Sequence, residues 1–374
     1  MNKTSGTDTI LEAFDAVSKE DWLSKIRKDL RGKSIAEMDW DFDDDLTISP
    51  FVDVEDIGTG SSDIEFNAHW EIAEEFNVTD GAKANAEILD ALSGGCEVIM
   101  LKVNNIPEWS TLLDGVNLSM IKTYVIPAAD EMTEALIASL DDFLQKLSVN
   151  HSVPTSSSGQ ASNSEKNDTA AEVKATQKTN SGGETESKAP IVHIRNDKSV
   201  IGGPAHLQLD KTVIEGLAKT IQEGIQLITQ PYDNDTVECV VEIGDAYFVE
   251  IARLRALRIL WSNSLSALGM DKPSLFVEGR FSNRDMTNDV HHNMIAAGSK
   301  ALSAICGGVD RLIIAPSETD TTPFHRRISR NIHHILRYES KLDTIADPVK
   351  GSYYIESLTR QLVERAWSKM IKTL

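Results

Sequence analysis

The residues of this chain best able to do chemistry are few and scattered. Gly202-Gly203 precedes a helical pattern that starts at Pro204, and a helix N-terminus behind glycines can hold phosphate on its free N–H groups. A bare pair of glycines more often makes a tight turn. His291-His292 and His333-His334 suggest a metal ion. Neighbouring side chains on a helix point in different directions, however, and do not easily chelate one ion. No Cys or carboxylate cluster joins them at ligand spacing, so no metal site is expected. The acidic run from Glu37 to Asp45 lacks the glycine and distal glutamate of a calcium loop and reads as a solvated acidic turn. The chain carries no local Ser–His or Cys–His triad signature, dinucleotide-binding fingerprint or P-loop.

The elements that must position any site are clearer. A length of 374 residues suits two or three domains, or one large barrel with attachments. The net charge of -21 argues against nucleic acid and anionic membrane surfaces as partners. There is no signal-peptide pattern and no run of about 18 apolar residues. Cys96, Cys239 and Cys306 lie far apart beside apolar runs and read as reduced, buried thiols, which places the chain in the cytoplasm.

Residues 1–55 read as an arm. Ile10, Leu11, Phe14, Trp22, Leu23, Ile26 and Leu30 are helically spaced, and Trp40 and Phe42 alternate with Asp as in a short half-buried strand. Eight strands are expected after it: His69–Phe76, Cys96–Val103, Ser119–Ile126, Ile191–Asn196, Val237–Ile243, Leu275–Phe281, Arg311–Ala315 and Asp343–Ala346. Helical segments such as Ala82–Leu92, Glu131–Leu147 and His206–Ile228 separate nearly every pair. Parallel strands need such crossovers, so residues 56–374 read as an α/β (β/α)8 TIM barrel with its active mouth at the C-terminal strand ends. Residues 150–189 are almost devoid of large apolar side chains. They read as a disordered insertion within the barrel rather than a linker between two domains.

Two stretches carry more than periodicity. Gly244–Trp261, GDAYFVEIARLRALRILW, is by pattern an amphipathic helix with Tyr247, Phe248, Ile251, Leu254 and Trp261 as its core stripe. Arg326–Trp367 reads as a helix through Ile328, Ile332, Ile335 and Leu336, a loop broken at Asp347-Pro348 and Gly351, and a helix through Leu358, Leu362 and Trp367. The R-x-x-R-N, A-D-P and G-S-Y-Y-I-E-S-L-T motifs in this second stretch closely resemble the end of the barrel domain in methylmalonyl-CoA mutases, where such a run closes the eighth strand. Gly244–Trp261 is similar to that family's G-x-x-F-F-x-E-I-A-K-x-R-A-A-R-x-L-W. Ser282 and Thr287 match its S-G-W-S-L-T, Ala301–Gly308 its A-x-x-x-x-x-G-G, and Trp22–Lys33 the segment before its barrel.

The resemblance implies radical isomerisation of a CoA thioester, methylmalonyl-CoA to succinyl-CoA, driven by adenosylcobalamin in propanoate metabolism. The chain departs from that pattern at the reacting centre. Ala73 stands where the family's R-Q-Y-A-G-F-S has Arg, Glu75 where it has Tyr, Lys198 at the catalytic His of S-G-Y-H-M-Q-E-A-G, and Arg280 at the Gln of Q-T-S-G. Like charge at Glu75 would weaken the hold on a substrate carboxylate. The cobalamin motif D-x-H-x-x-G is absent from this sequence. The expectation is therefore the small, non-catalytic subunit of a heterodimeric mutase, with no catalytic residues of its own and no cofactor bound by this chain alone. A catalytic large subunit would hold the acyl-CoA and adenosylcobalamin. The alternatives are a barrel module using cobalamin from a separate chain, or a stand-alone barrel with a charged site at Glu75, Lys198 and Arg280.

Overall fold

The computed structural model describes residues 17–57, 66–151, 192–195, 200–202, 212–230, 235–281, 286–318 and 322–373. Ile10, Leu11, Phe14, Lys198, Ser282 and residues 152–189 of the expected insertion lie outside these; residues 150 and 151 close the helix Thr133–His151.

The described residues open with α1 (Lys19–Asp29), started by a capping box in which Ser18 and Asp21 satisfy each other's backbone N–H groups. β1 (Trp40–Asp43) and β2 (Leu46–Ile48) form an antiparallel pair. The expected strand is present, but Trp40 is exposed, and Leu46 and Ile48 supply the buried face. The acidic turn between the strands is a clamp rather than merely solvated. Asp43 accepts from the Val213 N–H at 2.9 Å and Asp45 from the Thr212 hydroxyl at 2.9 Å, at the start of a later helix.

Eight parallel strands follow: β3 (Glu71–Val78), β4 (Val98–Val103), β5 (Lys122–Pro127), β6 (Val192–Ile194), β7 (Val200–Gly202), β8 (Thr236–Ile243), β9 (Ser274–Phe281) and β10 (Arg311–Ile313). Their order is β6-β5-β4-β3-β10-β9-β8-β7. The sheet curls so that its first strand in the chain pairs with its last, Glu71–Ala73 on Arg311–Ile313. This is the expected TIM-barrel-like α/β fold.

One strand lies elsewhere than expected. Asp343–Ala346 is not in the sheet: Leu342–Thr344 is a 3₁₀ turn entered through left-handed Lys341 (φ 56°). Arg311–Ile313 is the eighth strand, and the extra one is β7. Gly202 ends β7 at φ 71°, where a Cβ would meet the Val240 carbonyl oxygen at 2.5 Å. Only glycine lets the backbone take that angle and approach its neighbour so closely.

Helices α2 (Gly81–Ser93) and α3 (Thr133–His151) cover β3–β6; α4 (Val213–Ile228), α5 (Tyr247–Ala267), α6 (Val290–Cys306) and α8 (Tyr353–Thr373) cover the rest, and α7 (Pro323–His334) lies against β3. α5 is buried well beyond a stripe, taking Glu250 and Arg255 inside with Ile251, Leu254 and Trp261, because α4, α6 and α8 all pack on it. Phe248, expected in the stripe, is half exposed and meets Tyr247 and Tyr354 edge-on. Ile335 is also exposed: α7 gives way at Ile335–Glu339 to a wider turn, closed by the Ser340 N–H on the Ile335 carbonyl at 2.9 Å, which rotates it outward.

Where α4 and α5 cross, a Cβ on Gly224 would strike Trp261 and come within 3.0 Å of Ile201. Overpacking of this kind costs about 1–3 kcal/mol. Gly224→Ala is expected to lower the urea midpoint accordingly; an unchanged or raised midpoint would show that helix propensity outweighs the clash.

Candidate functional site

Strand residues alternate between the barrel interior and the covering helices. On β3, Ile72, Glu74 and Phe76 face outward, and Glu71, Ala73 and Glu75 share the inner side with Lys102, Lys122, Tyr124, Arg195, Glu238, Glu278, Arg280 and Arg311. Ala73 joins Val98, Met100, Tyr124 and Ile313 in a small inner apolar cluster.

The charged side chains fill the lumen by pairing with one another. Glu278, fully buried, is the hub. It accepts from Arg195 at 2.8 Å, Arg280 at 2.5 Å and Arg311 at 3.0 Å. Arg311 also reaches Glu71 at 2.8 Å, donates to the Tyr124 hydroxyl at 2.7 Å and lies over the rings of Tyr124 and Phe276. Glu71 is paired again with Lys122, and Glu238 lies 3.4 Å from Arg195. Nearer the C-terminal strand ends, Glu75 meets Arg280 at 2.8 Å and Lys102 at 2.7 Å.

The network sets its own protonation. Burial opposes ionisation of Glu278, but Arg195, Arg280 and Arg311 outweigh it and hold the carboxyl far below the usual range. Burial likewise opposes the charges of Arg280 and Arg311, yet their acidic partners raise both guanidiniums. Burial pushes the Tyr124 phenol up to about 12. Each of these shifts moves its group away from neutrality, where a general acid or base would operate.

Two of the four positions singled out in the sequence, Glu75 and Arg280, are thus an ion pair, Ala73 lies in the inner apolar cluster, and Lys198 is outside the described residues. Sequence reasoning missed Arg195, Glu278 and Arg311. The signal for Glu278 was present as Glu-x-Arg at 278–280, as it was for Glu238 in Glu-x-Val-x-Glu at 238–242, inside strands that should read as continuous apolar runs. The histidine pairs are not brought together. His291 and His292 are exposed on the first turn of α6, His333 accepts from the buried Trp70 indole, and His334 binds the Gly94 carbonyl.

The residues of the two recognisable stretches do different work. Arg255 on α5 donates to Asp347 at 2.6 Å and Glu356 at 2.9 Å. Arg258 caps the Gly308 carbonyl and pairs with Asp310 at 2.7 Å. Arg330 binds Glu74 at 2.8 Å and Asp90 at 2.7 Å, and Arg337 binds Glu97 at 2.6 Å. All four brace helices and loops against the outside of the barrel.

Comparison with known proteins agrees with this architecture. Residues 217–373 match the family model described as methylmalonyl-CoA mutase. The chain is similar to the methylmalonyl-CoA mutase small subunit of Porphyromonas gingivalis, 25% identical over 96% of this chain and 63% of that protein. It is 26% identical to the probable methylmalonyl-CoA mutase small subunit of Mycobacterium tuberculosis strain H37Rv, over 82% of this chain and 52% of the other. A shorter match, 34% identical over 33% of this chain and 18% of the other, reaches the methylmalonyl-CoA mutase large subunit of Propionibacterium freudenreichii subsp. shermanii. The chain thus spans less than two thirds of each of these relatives.

Proposed function

We propose that this chain, which matches the methylmalonyl-CoA mutase family model over residues 217–373 and is similar to small subunits of that enzyme, is the structural, non-catalytic subunit of an adenosylcobalamin-dependent mutase. Its partner is a catalytic large subunit that holds the acyl-CoA and the cofactor and interconverts methylmalonyl-CoA and succinyl-CoA in the cytoplasm. The observation that carries this reading is the lumen filled by paired charges around Glu278. A thioester entering there would have to break ion pairs that are buried and mutually satisfied, which costs several kcal/mol.

The donor set does not fit the cofactor either. The strand ends offer Glu75, Lys102 and Arg280, already committed to one another, and His193 stacks on Tyr124 within the barrel. No step of the isomerisation is assigned to this chain. The contact with the partner is assigned to α1, none of whose residues is fully buried. Half-buried Trp22 there meets the edge of Phe51, with ring centroids 5.8 Å apart, while Lys19 anchors the helix to Asp53 and Asp56. A half-covered apolar face of this kind suits a partner surface.

The test is co-expression with a full-length large subunit from the same genome. A one-to-one complex by mass is expected, with no turnover by this chain alone, and Trp22→Ala is expected to weaken the complex about tenfold or more. Separate elution with full activity of the large chain alone defeats the subunit role. Stoichiometric retention of adenosylcobalamin by the isolated chain in equilibrium dialysis supports a catalytic module instead.

A further inference from the structure

His333 sits in the last turn of α7, just before the wider turn Ile335–Glu339, where the helical hydrogen bonding changes register. Its side chain is 2% exposed. The indole N–H of Trp70, itself 1% exposed, donates to Nδ1 at 3.2 Å. An indole nitrogen can only donate, so Nδ1 must stay unprotonated for this contact to exist. The Arg337 guanidinium shares the site. It lies over the Trp70 ring at 5.0 Å, donates to the Trp70 carbonyl and pairs with Glu97 at 2.6 Å. A proton on Nδ1 would set two donors against each other in a buried site beside a cation. Burial, then the charges of Arg337 and His334, push the imidazole down to about 3.

We propose that His333 is an acid-sensitive latch, which holds the end of α7 on the barrel only while its imidazole is neutral. The folded value lies below the ordinary value of about 6.5. The latch therefore contributes fully above about pH 6.5 and loses its contribution as pH falls toward the folded value. Release uncovers Trp70 and Leu336 and frees the turn that carries exposed Ile335 and Tyr338. The charges brought by neighbouring elements are held by partners. Glu74 on β3 meets Arg330 at 2.8 Å, and Arg330 also meets Asp90 on α2 at 2.7 Å. Asp310, beside the start of β3, meets Arg258 at 2.7 Å. Burial pushes the Cys96 thiol up and keeps it neutral. On α6 the one Lys, Arg, Asp or Glu is Lys300, 3.1 Å from Asp245, and His291 and His292 lie in the exposed first turn. The other histidines on this side are His69, 57% exposed and 4.0 Å from Glu97, and His334, on the Gly94 carbonyl at 2.8 Å.

The experiment is hydrogen exchange of the full chain at pH 7.5 and 5.5, taken as protection relative to the unstructured rate at each pH. Protection over residues 331–340 is expected to fall about tenfold, the ratio set by an ordinary value of about 6.5 when the closed imidazole stays neutral. His333→Gln keeps an acceptor for the indole N–H but nothing that titrates, and its protection there is expected to change less than about twofold. His69→Asn and His334→Asn are each expected to retain a fall of about fivefold or more. Should His333→Gln not fold, the imidazole nitrogen resonances of the wild-type chain decide. Those of His333 are expected to stay unchanged over this interval, with Nε2 protonated and Nδ1 not. No fall in wild type, an equal fall in His333→Gln, loss of the fall in His69→Asn or His334→Asn, or a His333 ring that protonates with a midpoint near its ordinary value in the folded chain overturns the proposal.

Discussion

Glu278→Gln is expected to destabilise the fold by about 3–5 kcal/mol, the usual result of removing one member of a buried charge cluster. The change keeps the shape of the side chain and removes only its charge. Three guanidiniums converge on Glu278, and those of Arg195 and Arg311 are themselves buried. Without it, Arg280 retains Glu75, Arg311 retains Glu71, and Arg195 keeps Glu238 at a looser 3.4 Å. Like-charge repulsion across the lumen is then uncompensated at its centre. The pH dependence has a definite sign. The folded carboxyl is held below its unfolded value, so its contribution is complete above about pH 4.3. It fades as pH falls below that value toward the folded pKa. The gap between wild type and variant in urea unfolding is therefore constant from neutrality to about pH 5 and narrows in stronger acid. A gap under about 1 kcal/mol at pH 7 would mean that water or rearranged arginines replace the hub.

The same cluster shows what a single sequence conceals. The apolar residues of β3, β4, β8 and β9 announce strands because burial on the helix-facing side favours Val, Ile, Leu or Phe at alternate positions, and those positions lie close together in the chain. Ion pairs across a lumen have no such local trace. Glu75 and Arg280 are 205 positions apart, and Arg311 and Glu71 are 240 apart. Each was visible as a charge, yet its partner depends on which strands the barrel brings opposite one another. β7 escaped notice for another reason. Three residues ending in glycine carry too little pattern to outweigh a turn, and only the pairing of Val200–Gly202 with β8 makes them a strand. Asp343–Ala346 was misplaced because its surroundings are recognisable, although its own residues form a turn braced from outside.

That brace is the subject of the second large effect. Arg255→Met is expected to cost about 3–5 kcal/mol and to loosen the segment between α7 and α8. Arg255 is 2% exposed, and methionine fills a similar space without its charge. Its two nitrogens hold Asp347, in the A-D-P motif, and Glu356, in the first turn of α8. Glu356 also accepts from the Gly351 N–H at 3.1 Å, so one guanidinium ties the A-D-P loop, the Gly351 turn and the start of α8 to α5. Loss of the cation leaves two partly buried carboxylates facing each other. Hydrogen exchange is expected to rise across residues 345–356 while the strand amides of β8 and β9 keep their protection. Adding Asp347→Asn and Glu356→Gln to Arg255→Met removes the stranded charges and is expected to recover most of the lost stability, because a buried ion cluster replaced as a whole costs far less than one broken in part. The recovery measures coupling directly. If the three effects simply add, to within about 0.5 kcal/mol, the two stretches are neighbours rather than partners. Strong coupling means that the residues by which the chain resembles its relatives are held together by the fold they stabilise, and that the resemblance reports the scaffold before it reports any chemistry.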